Sequence, residues 1–77
     1  MKVIDIGKSV TVLSSQHSDI KRGDVGIVRQ QLRKHYGYGV EFTKPFQVME
    51  NGVLVLRPQT RIVFIKHGDL KIVCPKE

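Results

Sequence analysis

The chain has 77 residues, 40% of them hydrophobic and 26% charged, with a formal net charge of +6; that balance describes one small globular domain over residues 1–77 and excludes a second core or a disordered tail. Val, Ile and Leu supply the apolar content while Ala and Trp are absent, so the best helix former is missing and β-branched residues favour strands. A single cysteine, Cys74, excludes an internal disulfide and cannot hold a structural metal by itself, which fits a reducing, cytoplasmic setting.

Residues 1–7 carry few apolar side chains and an acid, Asp5. They match neither a signal peptide nor a membrane span, which needs about 20 apolar residues. Residues 9–13 alternate polar and apolar, the pattern of a strand with one buried face. The polar run 14–19 predicts a loop, continued by a turn at residues 21–24 in which Gly23 takes positive φ. Residues 25–30 form a second strand. Residues 31–35 are polar and basic except for Leu32 and predict a loop or one irregular turn, too brief for a helix to stand alone.

A third strand spans residues 36–42, with Tyr38, Val40 and Phe42 on one face, and Lys44-Pro45 ends it. Residues 46–56 predict a hairpin, because Asn51-Gly52 between two apolar runs tolerates the positive φ of a tight two-residue turn. A break at residues 57–60, a strand at 61–65, a tight turn at 67–69 and a last strand at 70–73 complete the chain, with 75–77 expected to fray. Five to seven short strands without a long helix must curl to bury their apolar face, so the fold class is a mostly-β small barrel.

Two stretches resemble a known family. Gly7-Lys8-Ser9-Val10, the basic turn Lys21-Arg22-Gly23 and the strand Gly26-Ile27-Val28 resemble the KOW motif of Src-homology-3-like barrels, with Gly26 in the motif's characteristic glycine place. The ending at residues 64–73 resembles the strand, 3₁₀ turn and short closing strand of the same barrels. The likeness covers about half of the chain; the loop at 14–24 is longer than the usual KOW linker and the hairpin near residues 46–56 is an addition. It implies a small Src-homology-3-like barrel that binds RNA, DNA or ribosomal and transcription proteins through loops at one end. By position it implies contacts at Lys21, Arg22 and Arg29.

The residues themselves point the same way. Arg29, Arg33, Lys34 and His35 with Tyr36 and Tyr38 combine cations that grip phosphates and aromatic faces that accept an exposed base. Lys21 and Arg22 would join that surface if consecutive loops emerge together; the plain alternative is that these cations only solvate the surface. Most of Arg57, Arg61, Lys66 and Lys71 are expected to face outward without a task, and Phe42, Phe46 and Phe64 to lie in the core. The apolar run at residues 53–56 is to be buried on both faces, or else Leu54 and Leu56 form a protein-binding patch.

His17, His35, His67 and Cys74 lack metal-site spacing, so no cofactor or metal is expected. Ser14, Ser15, His17 and Asp19 fit turn chemistry better than a catalytic triad. The expected function is therefore non-enzymatic binding of nucleic acid through basic loops, without a membrane partner. The alternative is a protein-interaction module, a small regulator or inhibitor of the kind phages encode, acting on an acidic or nucleic-acid-processing protein.

Overall fold

The computed structural model describes residues 3–73. Met1, Lys2 and Cys74, together with the tail expected to fray at 75–77, lie outside the described residues. Five strands follow in chain order: β1 Ser9–Val12, β2 Val25–Leu32, β3 Gly37–Glu50, β4 Val53–Lys66 and β5 Leu70–Ile72, with 3₁₀ turns η1 Arg33–His35 and η2 His67–Asp69. All pairings are antiparallel, and the sheet order is β4-β3-β2-β1-β5. Among the described residues no helix is long and apolar enough to cross a membrane.

This order dictates the curl. β4 and β5 are the two edges of the sheet, yet only η2 separates them along the chain. Four strand spacings would hold the edges about 19 Å apart if the sheet were flat. A three-residue 3₁₀ turn covers only about 6–8 Å. The sheet therefore rolls, and the β1–β5 ladder continues past Val12 and Leu70 into η2, where the Leu13 N–H donates to the Asp69 carbonyl at 2.7 Å.

Inside the roll lie Ile4, Val10, Val12, Ile20, Val28, Tyr38, Val40, Phe42, Phe46, Ile65 and Leu70. Tyr38, Val40 and Phe42 share the inner face as their alternation predicts. Gly26 sits where β2 crosses β3. A Cβ there would stand 2.6 Å from Val40 Cγ1 and 2.7 Å from the Glu41 carbonyl oxygen, so only glycine permits this approach. Asn51 and Gly52 take φ of 51° and 77°, as the two-residue hairpin requires.

Three expectations are corrected. Lys44-Pro45 and residues 57–60 do not break the chain into short strands; β3 and β4 each run 14 residues as one ladder, with Pro45 opposite Pro58. Counting from the two-residue turn, Glu50 and Val53 exchange hydrogen bonds, so Pro45 and Pro58 fall on a non-bonded pair where neither needs an N–H towards the other. Pro58 faces the free edge. Pro45 faces a side on which the β2 ladder, whose pairing ends at Ile27 and Glu41, no longer runs.

Phe64 is 36% exposed, because on β4 it has the outward parity while Ile65 takes the core; its ring fills the space left by Gly37. The run at 53–56 is not buried either. Among the described residues no segment overlies it, and Leu54 and Leu56 are 59% and 65% exposed.

The long loop between β1 and β2 is pinned across the barrel. Ile20 enters the core, and Lys44 Nζ donates to the Asp19 carbonyl at 2.6 Å and to Asp24 Oδ2 at 2.7 Å. The Lys21 N–H also donates to Asp24 Oδ2. Partial burial pushes the Asp24 carboxyl upward, but the Lys21 N–H and the Lys44 ammonium outweigh it and hold it below the ordinary value. His17 N–H donates to Ser15 Oγ at 3.0 Å, so the polar cluster of this loop makes turn contacts.

Candidate nucleic-acid interface at the η1–η2 end

The hairpin that returns β4 alongside β3 pairs Lys66 with Gly37. It thereby brings η2 against η1, although some 30 residues of chain separate them. The His67 N–H donates to the Tyr36 carbonyl at 2.7 Å, and the Tyr36 N–H donates to the Arg33 carbonyl at 3.3 Å. Between these bonds Tyr36 is held at φ 49°, ψ 46°, a left-handed conformation that a bulky side chain adopts only at a cost. Its ring is nonetheless 67% exposed. The fold holds an aromatic side chain in a strained conformation and leaves it in solvent.

Beneath this ring lies a cleft of about 410 Å³ lined by Gln31, Arg33, Tyr36, Tyr38 and His67, with Val3 at its rim. That volume lies in the range of small-molecule clefts, about 300–1,000 Å³. Several of its polar groups are fixed by hydrogen bonds. The Ile4 N–H donates to Tyr38 Oη at 3.0 Å, and the same hydroxyl shares a hydrogen bond with His67 Nδ1 at 2.8 Å. Gln31 Nε2 donates to the Ile4 carbonyl at 2.9 Å. The segment before β1 is thus latched at both polar groups of Ile4, and the Tyr38 ring stays in the core.

Beside the cleft a second hollow is lined by His35, Phe64 and Lys66, with His35 edge-on to Phe64 at 6.2 Å between ring centres. Arg33, Lys34 and Lys66 are exposed and have no carboxylate partner among the described residues, and no carboxylate lines either hollow. Positive charge, an exposed tyrosine and a cleft with hydrogen-bonded polar groups coincide here.

The other candidates lie elsewhere. Arg29 is the extra residue of a β-bulge, since Val28 and Gln30 oppose Val40 and Gly39 in succession. The bulge turns Arg29 onto Glu41 at 3.2 Å, away from the cleft. Lys21 and Arg22 belong to the β1–β2 loop, at the opposite end of β2 from η1, and Arg22 borders β5 near Lys71. The single basic surface expected from consecutive loops is divided into separate places. Arg57 is held by Glu50 at 2.7 Å, and the Arg61 guanidinium lies 4.7 Å from the centre of the Phe46 ring. Neither is an idle outward cation. Leu54 and Leu56 stand on the hairpin, remote in the ladder from η1.

The sequence alone assigns none of Lys66, His67 and Gln31 to this site. Residue numbers of β3–β4 partners all sum to the same value, so the Asn51-Gly52 turn alone would have placed Lys66 opposite Gly37 had the ladder been carried through the prolines. Among the described residues no group of three potential metal ligands converges. Comparison with protein-family models, with curated proteins and with solved structures finds no match.

Proposed function

We propose that this protein is a non-catalytic nucleic-acid-binding module that takes a single-stranded segment at its η1–η2 end. One observation carries the reading: Tyr36, in a strained left-handed conformation and mostly exposed, lines a cleft together with Arg33, with exposed Lys34 next along η1 and exposed Lys66 paired to the lining residue Gly37. An exposed aromatic face accepts any unstacked base, at about 1–3 kcal/mol per base. Cations without carboxylate partners take phosphates and release counterions. Duplex fits less well, because its bases are already stacked and η1 is too short to enter a groove.

The reading is in keeping with the resemblance to KOW-type barrels, which bind nucleic acid through loops at one end. It differs in where the contacts fall. Arg33, Lys34 and Tyr36 carry them, with Lys66 and the cleft residues Gln31 and His67, whereas Arg29 is occupied by Glu41 and Lys21 and Arg22 are secondary. Specificity is low, since phosphate contacts and stacking read little sequence. The setting we propose is cytoplasmic.

Fluorescence anisotropy with a labelled single-stranded oligonucleotide tests this. The expected result is saturable binding that weakens steeply as salt rises and is outcompeted poorly by duplex. Absence of binding, or binding indifferent to salt, would reject the proposal.

A further inference from the structure

Beyond Thr43 and Thr60, whose Oγ1 atoms meet at 2.9 Å, β3 and β4 pair only with each other and form an arm whose inner face stays anchored to the core by Phe46. The outer face of that arm presents Pro45, Gln47 and Met49 from β3 and Leu54, Leu56 and Pro58 from β4, with no charged side chain among them. Met49 is 65% exposed, like Leu56. Towards the barrel the same face continues through the Thr43–Thr60 pair and through exposed Ile62, opposite the ion-paired Glu41, to Phe64. The arm's only charged residues between Pro45 and Pro58, Glu50 and Arg57, neutralise one another through two hydrogen bonds at 2.7 and 2.9 Å. From Pro45 to Pro58 the net charge is therefore zero, and the whole excess of +6 lies outside that stretch.

We propose that this outer face is a self-association surface on which two copies of the chain pack face to face. The two-fold axis passes near the Pro45–Pro58 pair. Met49, Leu54 and Leu56 of each copy then cover Ile62 and Phe64 of the other.

Charge selects the occupant. Two copies with the same positive excess repel through their barrels, and the neutral arm is where they can approach; an antiparallel pairing also keeps the two basic ends apart. An acidic partner drawn by the net charge would gain nothing on this face. Geometry selects the mode. Pro58 removes an N–H from the middle of the free β4 edge, so edge-to-edge strand pairing is interrupted and the face remains. The area is adequate for a modest dimer. A two-stranded ribbon 14 residues long offers roughly 450 Å² per copy, and the roughly 900 Å² buried in total sits at the weak end of specific interfaces. We expect association of roughly tens of micromolar, as for interfaces at the small end of the specific range.

Sedimentation equilibrium on the nuclease-treated full chain tests this independently of nucleic-acid binding. Wild type should pass from monomer to dimer between roughly 5 and 200 µM, with tighter association at higher salt as barrel repulsion is screened. Leu54→Asp and Leu56→Asp should each weaken dimerisation at least tenfold, and the double substitution Leu54→Thr with Leu56→Thr, which keeps strand-forming residues, should do the same with an unchanged urea midpoint. A wild-type chain that stays monomeric throughout, a dimer indifferent to these substitutions, or a monomer that takes up a different protein on this face would overturn the proposal.

Discussion

The backbone N–H of His67 donates to the carbonyl of Tyr36 at 2.7 Å, so the turn before the last strand fastens the turn before the third. That bond and the shared hydrogen bond between Tyr38 and His67 make the two turns one rigid end of the barrel. Tyr36 stays strained because both flanking peptides are held. Strain retained by an exposed residue points to a role outside folding.

Replacing Tyr36 by Gly separates those roles. Glycine takes the left-handed conformation without steric cost, so stability should stay level or rise by about 1 kcal/mol. Loss of one stacked base should weaken oligonucleotide binding about tenfold. Urea unfolding and anisotropy on the same preparation check both halves.

Replacing Arg33 and Lys34 together by Ala should lower the slope of log affinity against log salt by about 0.7 for each phosphate that is no longer neutralised. Arg29→Ala should leave affinity and slope unchanged, because Glu41 already occupies that guanidinium. Anisotropy across roughly 50–200 mM salt, the range in which such phosphate pairing shows most strongly, distinguishes the two variants.

Gly26→Ala should destabilise the fold by about 1–3 kcal/mol, since the new methyl meets Val40 and the backbone carbonyl of Glu41. A side chain can shift but that carbonyl belongs to the β3 ladder. A urea midpoint equal to wild type would show that β2 and β3 do not cross as closely as described.

Much of the fold was legible in the chain. Alternation placed Val10, Val12, Tyr38, Val40 and Phe42, and Asn51-Gly52 placed the turn, because both signals are local. The prolines misled, since the cost of a missing N–H depends on whether the neighbouring position bonds, and that parity follows from the turn rather than from the proline. Phe64 misled for a related reason. It has the character of a core residue, yet one residue of parity puts it outside over Gly37. The candidate site was half legible: Arg33, Lys34 and Tyr36 are contiguous, whereas Lys66, His67 and Gln31 arrive only through pairing. Arg29 was drawn away by a one-residue bulge that nothing in its neighbours announces.

The Asp24–Lys44 pair makes stability depend on acid. Because the Asp24 carboxyl is held below its ordinary value, its contribution is present above the unfolded value, about 3.9, and is lost as pH falls through the lowered folded value. Asp24→Asn should cost about 0.5–1 kcal/mol at pH 7, the range of a partly exposed ion pair. The difference from wild type should vanish in strong acid. Urea midpoints across that pH range check it.

Amide chemical shifts followed while a short single-stranded oligonucleotide is titrated into labelled protein test the central claim most directly. The account predicts changes concentrated at Arg33, Lys34, Tyr36, Lys66 and His67, with little at Arg29 or at Leu54 and Leu56. Changes centred on Lys21 and Arg22, or spread evenly over the exposed cations, would contradict it.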